Sequence, residues 1–323
     1  MSRYAAVHAN PNGLGDARPT AMQIIQDEGI KDQLANKVAV ITGVSSGMGF
    51  ETVHALASTG MHLFLTARDL TKAKNALGDK FNPDQMELIH MDNASLDSVH
   101  TATNAILAKT NKINILVNNA GVMGLQTLQL TDRGHELQFA TNHLAHFLFF
   151  HLLAPALLAG SSSDFQSRVV VVASSAQRVH GLNASDNYHY QKGGYNPWDA
   201  YTQSKIANVY MANEIERRYG ARGLHATSLH PGMVYTDLGR SLPAEELGAM
   251  VRNPEVQRVI KNPAQGAATS VWAAVAKELE GRVLDDHDQG WDGAKYVSHT
   301  YDPKEEARLW EDSLEMVGLS GSA

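Results

Sequence analysis

Tyr201 and Lys205 stand four residues apart in "AYTQSKIANVY", a stretch patterned as helix, so the two side chains share one face. A free phenol has a pKa of about 10, which leaves ~0.1% as phenolate at neutral pH. An ammonium within about 4 to 6 Å lowers an acid by roughly 1 to 3 units. A phenol so tuned can give a proton to a carbonyl oxygen or take one from an alcohol. The same spacing also suits a solvated surface pair, so the decision rests on the rest of the chain.

Other residues converge on the same chemistry. Ser174 and Ser175 end the run "RVVVVASS", at the carboxyl edge of a strand, where open α/β sheets bind ligands and a hydroxyl can hold a carbonyl oxygen. "NNAG", residues 118 to 121, follows "INILV" and offers a small-residue turn at that edge; Asn142, in "FATNHLAHF", follows 23 residues after Asn119. "HPGMVYTDL", residues 230 to 238, places a sharp Pro231-Gly232 turn after a last core strand, with Thr236 just beyond.

In "VAVITGVSSGMGFETVHAL" a strand runs into Gly43, Gly47 and Gly49 and then a helix. Glycines there allow positive φ and close approach of a pyrophosphate to the helix N-terminus, which predicts a dinucleotide site. The second strand ends "FLTARD" about 25 residues after Gly43, where such folds read the adenosine ribose. Arg68 suits a 2′-phosphate, and Ser45 and Ser46 can bond it without adding negative charge, so NADP is expected over NAD. Asp69 is the competing residue: a two-residue slip in register would put an acid in the discriminating place.

These residues need a scaffold, and from Lys37 onward short β-branched runs alternate with longer 3.6-period segments, the signature of strand-helix-strand units. The strands are "KVAVIT", "HLFLT", "ELIHM", "INILVN", "RVVVVAS" and "LHATSLH", each nearly all apolar as when helices cover both faces. Helices are expected over 48–58, 70–76, 96–110, about 133–158 and 200–219. The fold expected is α/β, a Rossmann-type doubly wound parallel sheet in one domain spanning 21–323. Residues 1–20, rich in Asn, Pro and Gly, read as a flexible arm, and "AMQIIQDEGI" as a short leading helix. A polar, proline-broken flap is expected over about 237–264. A packed helix over 266–280, an edge strand "AKYVS" and a C-terminal helix over about 303–317, opened by Asp302 and Pro303, complete the chain.

Composition narrows the partners. Of 323 residues 43% are hydrophobic and 19% charged, an ordinary globular balance. The net charge of -7, with no basic run longer than Arg217-Arg218, disfavours nucleic acid and anionic membranes. The absence of cysteine removes disulfides, thiolate nucleophiles and cysteine metal sites and fits a cytoplasmic location. The N-terminus has no signal-peptide pattern, so the sequons at Asn93 and Asn183 read as chance. "HFLFFHLLAPALLAG" is interrupted by His151 and Pro155 and falls short of about 18 unbroken apolar residues, which suits a buried helix rather than a membrane span. Fifteen histidines raise a metal reading, but His143 to His151 lie in an apolar helix without carboxylates, "DDHD" at 285–288 reads as a solvated loop, and no metal is expected.

In order and type, "TGVSSGMG", "NNAG", Asn142, "SS", "YTQSK" and "PGMVYT" resemble the short-chain dehydrogenase/reductase family, and "GAKY" and "EARLWEDS" resemble its retinol dehydrogenase-like branch and fungal relatives. The resemblance implies that Tyr201 is the general acid/base, that Lys205 lowers its pKa and holds the nicotinamide ribose, and that Asn142 supports a proton-relaying water. Ser175 would bind the substrate oxygen, with Ser174 as its rival. It places Gly43 through Gly49, with Ser45, Ser46 and Met48, on the nucleotide, Asp92 and Asn93 at the adenine, and Asn119, Ala120 and Gly121 beside the cofactor. Pro231, Gly232, Val234 and Thr236 would meet the carboxamide side. The implied activity is pro-S hydride transfer between NADP(H) and a carbonyl or secondary alcohol. A homodimer through the helices of Asn142 and Tyr201 is expected.

Ser175 lies 26 residues before Tyr201, about twice the usual interval, as also occurs in that branch. The insert carries Tyr188, Tyr190, Tyr195 and Trp198, which suggests a pocket for a flat or lipophilic carbonyl compound; a loop packing on itself is the other reading. A cofactor-bound regulator or scaffold without turnover is the alternative function.

Overall fold

The computed structural model describes residues 3–276 and 297–319. The six apolar runs form β1 (Val38–Thr42), β2 (His62–Ala67), β3 (Met86–His90), β4 (Ile115–Asn118), β5 (Ser167–Val172) and β6 (Leu224–Leu229). They make one all-parallel sheet in the order β3-β2-β1-β4-β5-β6. Side chains alternate along each strand. Val40, Phe64, Leu116 and Val169 therefore enter one core, and Ile41, Leu65, Val117 and Val170 the other. Burial on both faces is why the strands read as unbroken apolar runs.

Helices fill the crossovers. α1 (Ala5–Ala9), α2 (Ala21–Asp27), α3 (Gly47–Ala57) and α4 (Leu70–Leu77) belong to the first part of the chain, followed by α5 (Leu96–Leu107), α6 (Leu137–Phe139), α7 (Ala145–Gly160) and α8 (Pro197–Tyr219). α9 (Ala244–Arg252), α10 (Pro254–Val259), α11 (Pro263–Val275) and α12 (Pro303–Met316) follow. The sheet order reverses between β1 and β4, which opens a crevice at the carboxyl ends of those strands.

Local chemistry sets the helix limits. The helix expected from Arg133 starts four residues later, because the Glu136 carboxylate accepts from the Gln138 and Phe139 amides and a bridge between Leu130 and Glu136 closes a turn before it. α8 begins three residues earlier than expected, capped by Asn196 with Pro197 at its first position. Asp302 caps α12 as its sequence predicts. The stretch Leu137–Gly160 is long and apolar enough to cross a membrane, yet it packs in the core, with Phe147, Leu148, Phe149 and Phe150 buried.

Two expectations about the ends change. The segment expected as a free arm is docked: Tyr4, His8 and Arg18 are buried, and the Tyr4 ring meets Trp272 edge-on, centroids 6.3 Å apart. The partners that hold it lie some 240 residues on, beyond the reach of local pattern. The face expected for a second copy is covered by α12, whose Trp310 packs edge-on against Phe147 and under the Arg218 guanidinium, while Ser313 bonds His143. A homodimer through these helices would have to displace α12. The expected flap holds α9 and α10, neither with a buried residue. The acidic loop 285–288, residues 277–280 of the expected packed helix, "GAKY" and most of the strand over 294–298 lie outside the described residues.

Candidate active site

The turn after β1 is shaped for a close-lying ligand. Gly43 has φ +72°, and a Cβ there would sit 2.7 Å from the Ala120 Cα; a Cβ on Gly49 would sit 2.2 Å from the Gly43 carbonyl oxygen. Only glycine fits at either position. The Asn119 side chain donates to the Thr42 carbonyl at 2.8 Å and the Gly43 carbonyl at 3.2 Å, and the Thr42 hydroxyl accepts from the Asn119 and Ala120 amides. "NNAG" thus braces the glycine turn directly. Ser46 stands at the N-cap of α3 without making a side-chain cap bond, and Gly47 and Met48 open that helix. The cradle fits the pyrophosphate of a dinucleotide.

On the adenosine side Arg68 is exposed after β2, whereas Asp69 caps α4 with its carboxylate on the Lys72 amide at 2.8 Å. The competing acid is therefore committed to a helix end. Asp92 accepts from the Ala94 amide after β3. Asn93, expected at the adenine, turns its amide inward to the Thr141 carbonyl and His146.

Tyr201 and Lys205 rise from the first turns of α8, each 4% exposed. Ser174 acts on the Tyr201 phenol, favouring its ionised form, and its hydroxyl caps the next turn by accepting from the Ala176 amide at 3.2 Å. Ser174 is the last extended residue after β5, while Ser175, the residue expected to bind the substrate oxygen, opens a 3-10 turn and is exposed. The Lys205 ammonium donates to the Val172 carbonyl at 2.9 Å and lies 5.6 Å from the Tyr201 ring centre. Burial pushes Tyr201 up to about 12, with Ser174 opposing, and pushes Lys205 down to about 8. Desolvation thus outweighs the expected lowering of the phenol by its neighbouring ammonium.

Asn142 sits in a π-helical turn, Ala140–Leu144, between α6 and α7. Its side chain exchanges hydrogen bonds with the backbone of Val122 at 2.8 and 2.9 Å and donates to Ser204. A Cβ on Gly121 would lie 3.2 Å from Asn142 Oδ1 and 3.8 Å from Lys205 Nζ, so "NNAG", Asn142 and Lys205 share one small space.

Sequence reasoning treated His146 as one more buried histidine. The structure makes it a junction: Nδ1 bonds the Asn142 carbonyl at 2.9 Å, and Nε2 faces the Thr42 hydroxyl at 2.9 Å and Asn93 at 3.2 Å. The Asn142 carbonyl can only accept, so Nδ1 carries the proton and Nε2 is the ring's acceptor, facing the Thr42 hydroxyl and the Asn93 amide. Burial holds this ring down at about 4, hence neutral. A conserved-looking motif does not flag it; its signal is the four-residue spacing from Asn142.

Met233 and Tyr235 pair with Lys261 through backbone bonds, and a Cβ on Gly47 would lie 3.1 Å from Thr236, so the loop of Pro231, Gly232, Val234 and Thr236 lies against the glycine turn. In the insert, Tyr188 is buried, stacks on Phe139 and donates to Asp312, and Tyr190 packs edge-on to Tyr195. Trp198 is 37% exposed and edge-on to the Tyr201 ring at 6.3 Å. Tyr188, Tyr190 and Tyr195 serve packing, and Trp198 borders the phenol. Among the described residues no group of three or more His, Asp or Glu side chains could hold a metal.

Comparison with known proteins agrees with this geometry. The family model for short chain dehydrogenases matches residues 37–247. Short-chain dehydrogenase/reductase prx1 of Penicillium roqueforti is 41% identical over 328 residues, covering 98% of this chain and 96% of its own. Retinol dehydrogenase 13 of Homo sapiens is 33% identical over 298 residues, covering 90% of this chain and 87% of its own. Among solved structures, an uncharacterized protein from Mycobacterium Paratuberculosis superposes with a TM-score of 0.71 at 28% identity, covering 90% of this chain and 97% of its own. The chain belongs to the short-chain dehydrogenase/reductase family of pyridine-nucleotide oxidoreductases, in its retinol dehydrogenase-like branch.

Proposed function

We propose that the chain is an NADP(H)-dependent reductase of aromatic or lipophilic ketones and aldehydes, acting in the cytoplasm. The observation that carries this reading is the buried Tyr201 phenol flanked by Lys205, whose ammonium lies beside Gly121 of the turn that braces the glycine loop. A bound nicotinamide supplies the hydride. The carbonyl oxygen accepts from the Ser175 hydroxyl and the Tyr201 phenol, and Tyr201 gives its proton as negative charge develops there. Lys205 supplies positive charge to the phenolate left behind, and its buried stem excludes water.

Preference for NADP is supported by exposed Arg68 and by Asp69 being spent as a cap. A lipophilic substrate is supported by exposed apolar side chains: Trp198 in the first turn of α8, Val179 after β5 and Met233 and Tyr235 after β6. Purified protein with NADPH and a panel of aromatic ketones, followed at the nicotinamide absorbance, tests the reading. Tyr201→Phe should lose turnover by about 10²- to 10⁴-fold while keeping cofactor affinity. Tight NADPH binding with no turnover of any carbonyl would favour the regulator or scaffold reading instead.

A further inference from the structure

Arg18 precedes the region matched by the family model, yet it is 4% exposed and its guanidinium is almost fully engaged. Nε donates to Asp16 at 2.8 Å, Nη1 to the Val259 carbonyl at 2.6 Å, and Nη2 to the Ile260 and Gly13 carbonyls at 2.8 and 3.1 Å. Val259 and Ile260 end α10, where a cation meets the exposed helix carbonyls favourably. Gln265 holds the same segment from the other side, donating to the carbonyls of Asp16 and Arg18 and accepting from the Gly15 amide.

The next residue after this clamp is Lys261. Its amide donates to the Met233 carbonyl at 2.7 Å, and its carbonyl accepts from the Tyr235 amide at 3.0 Å. Thr236 then rests against Gly47. A continuous path of hydrogen bonds and contacts so runs from residue 18 through 259–261 to the loop 231–236 and the glycine turn. That loop follows β6, on the Tyr201 side of the switch point, whereas Arg68 follows β2 on the other side.

We propose that Arg18 is a positioning residue for the loop 231–236, setting the fit of the nicotinamide half of the cofactor and leaving the adenosine half untouched. This rests on the dinucleotide reading above. Arginine is suited to the task because its planar fork spreads five donors over two nitrogens and Nε, reaching carbonyls on separate segments that a lysine's single ammonium nitrogen cannot all span.

Arg18→Ala and Arg18→Lys in the full chain, titrated with NADPH and with the nicotinamide-free fragment 2′-phospho-ADP-ribose, test it. Both variants should bind NADPH about tenfold more weakly and the fragment unchanged, with KM for NADPH rising more than kcat falls. Added guanidinium ion should restore part of the NADPH affinity of Arg18→Ala. Arg18→Lys keeps the charge and carries the test should Arg18→Ala not fold. Equal weakening of both ligands would make the contact a general stabiliser and overturn the proposal, as would unchanged NADPH affinity. If the unaltered protein bound neither ligand, the dinucleotide reading itself would fall.

Discussion

The Lys205 ammonium donates to the Val172 carbonyl at 2.9 Å and so ties the catalytic helix to the end of β5. Burial lowers its pKa to about 8, so the side chain is cationic below that pH and neutral above it. Carbonyl reduction should be level near neutral pH and fall as pH rises through about 8, when the charge facing the phenol is lost. Lys205→Arg should move the fall to higher pH, and Lys205→Met should remove it at a much lower rate; pH profiles of kcat/KM read both. A fall at the same pH in Lys205→Met would assign the titration elsewhere.

The two adjacent serines make opposite predictions. Ser175→Ala removes the hydroxyl proposed to hold the substrate oxygen and should lower kcat/KM by about 10²- to 10³-fold, the usual effect of losing one oxyanion donor. Ser174→Ala, which loses a turn cap, should stay within a few-fold of the parent. The reverse pattern in steady-state assays would give the role to Ser174.

On the NADP reading, exposed Arg68 is the cation that meets the 2′-phosphate. Arg68→Ala should weaken NADPH by about tenfold or more, consistent with roughly 1.5–3 kcal/mol for a charged hydrogen bond, and leave NADH affinity unchanged. Calorimetric titration of both nucleotides checks it. Equal loss of the two would refer the effect to the fold rather than to the phosphate.

Sedimentation of the full chain should show a monomer, since α12 occupies the helix face a partner would need. Trp310→Ala should cost about 3–5 kcal/mol in urea unfolding, as for other buried large-to-small changes. A stable dimer whose dissociation follows Trp310→Ala would place the interface on α12 itself.

Much of this was legible in the chain because it is local. Apolar runs fix strands, and the Asp302-Pro303 pair opens α12. The glycine turn and Tyr201-Lys205 depend on spacing within a few residues. The misses share the opposite property. Arg18 finds its acceptors at Val259 and Ile260, Trp310 finds Phe147, and His146 finds Thr42, each across more than 100 residues that no periodicity links. The choice of Ser175 over Ser174 came from the family's motif, since one residue of strand phase, which an all-apolar run does not fix, turns a hydroxyl toward or away from the phenol. The depressed phenol pKa was expected from proximity alone, while desolvation decides the outcome.

The Asn119 amide gripping the carbonyls of Thr42 and Gly43 has a mechanical corollary. It welds the rims of two neighbouring strands into one jaw, so a nucleotide pressing on either rim displaces both together. Amide exchange at Ala120 and Gly121 should therefore slow when any dinucleotide docks, including one that cannot react.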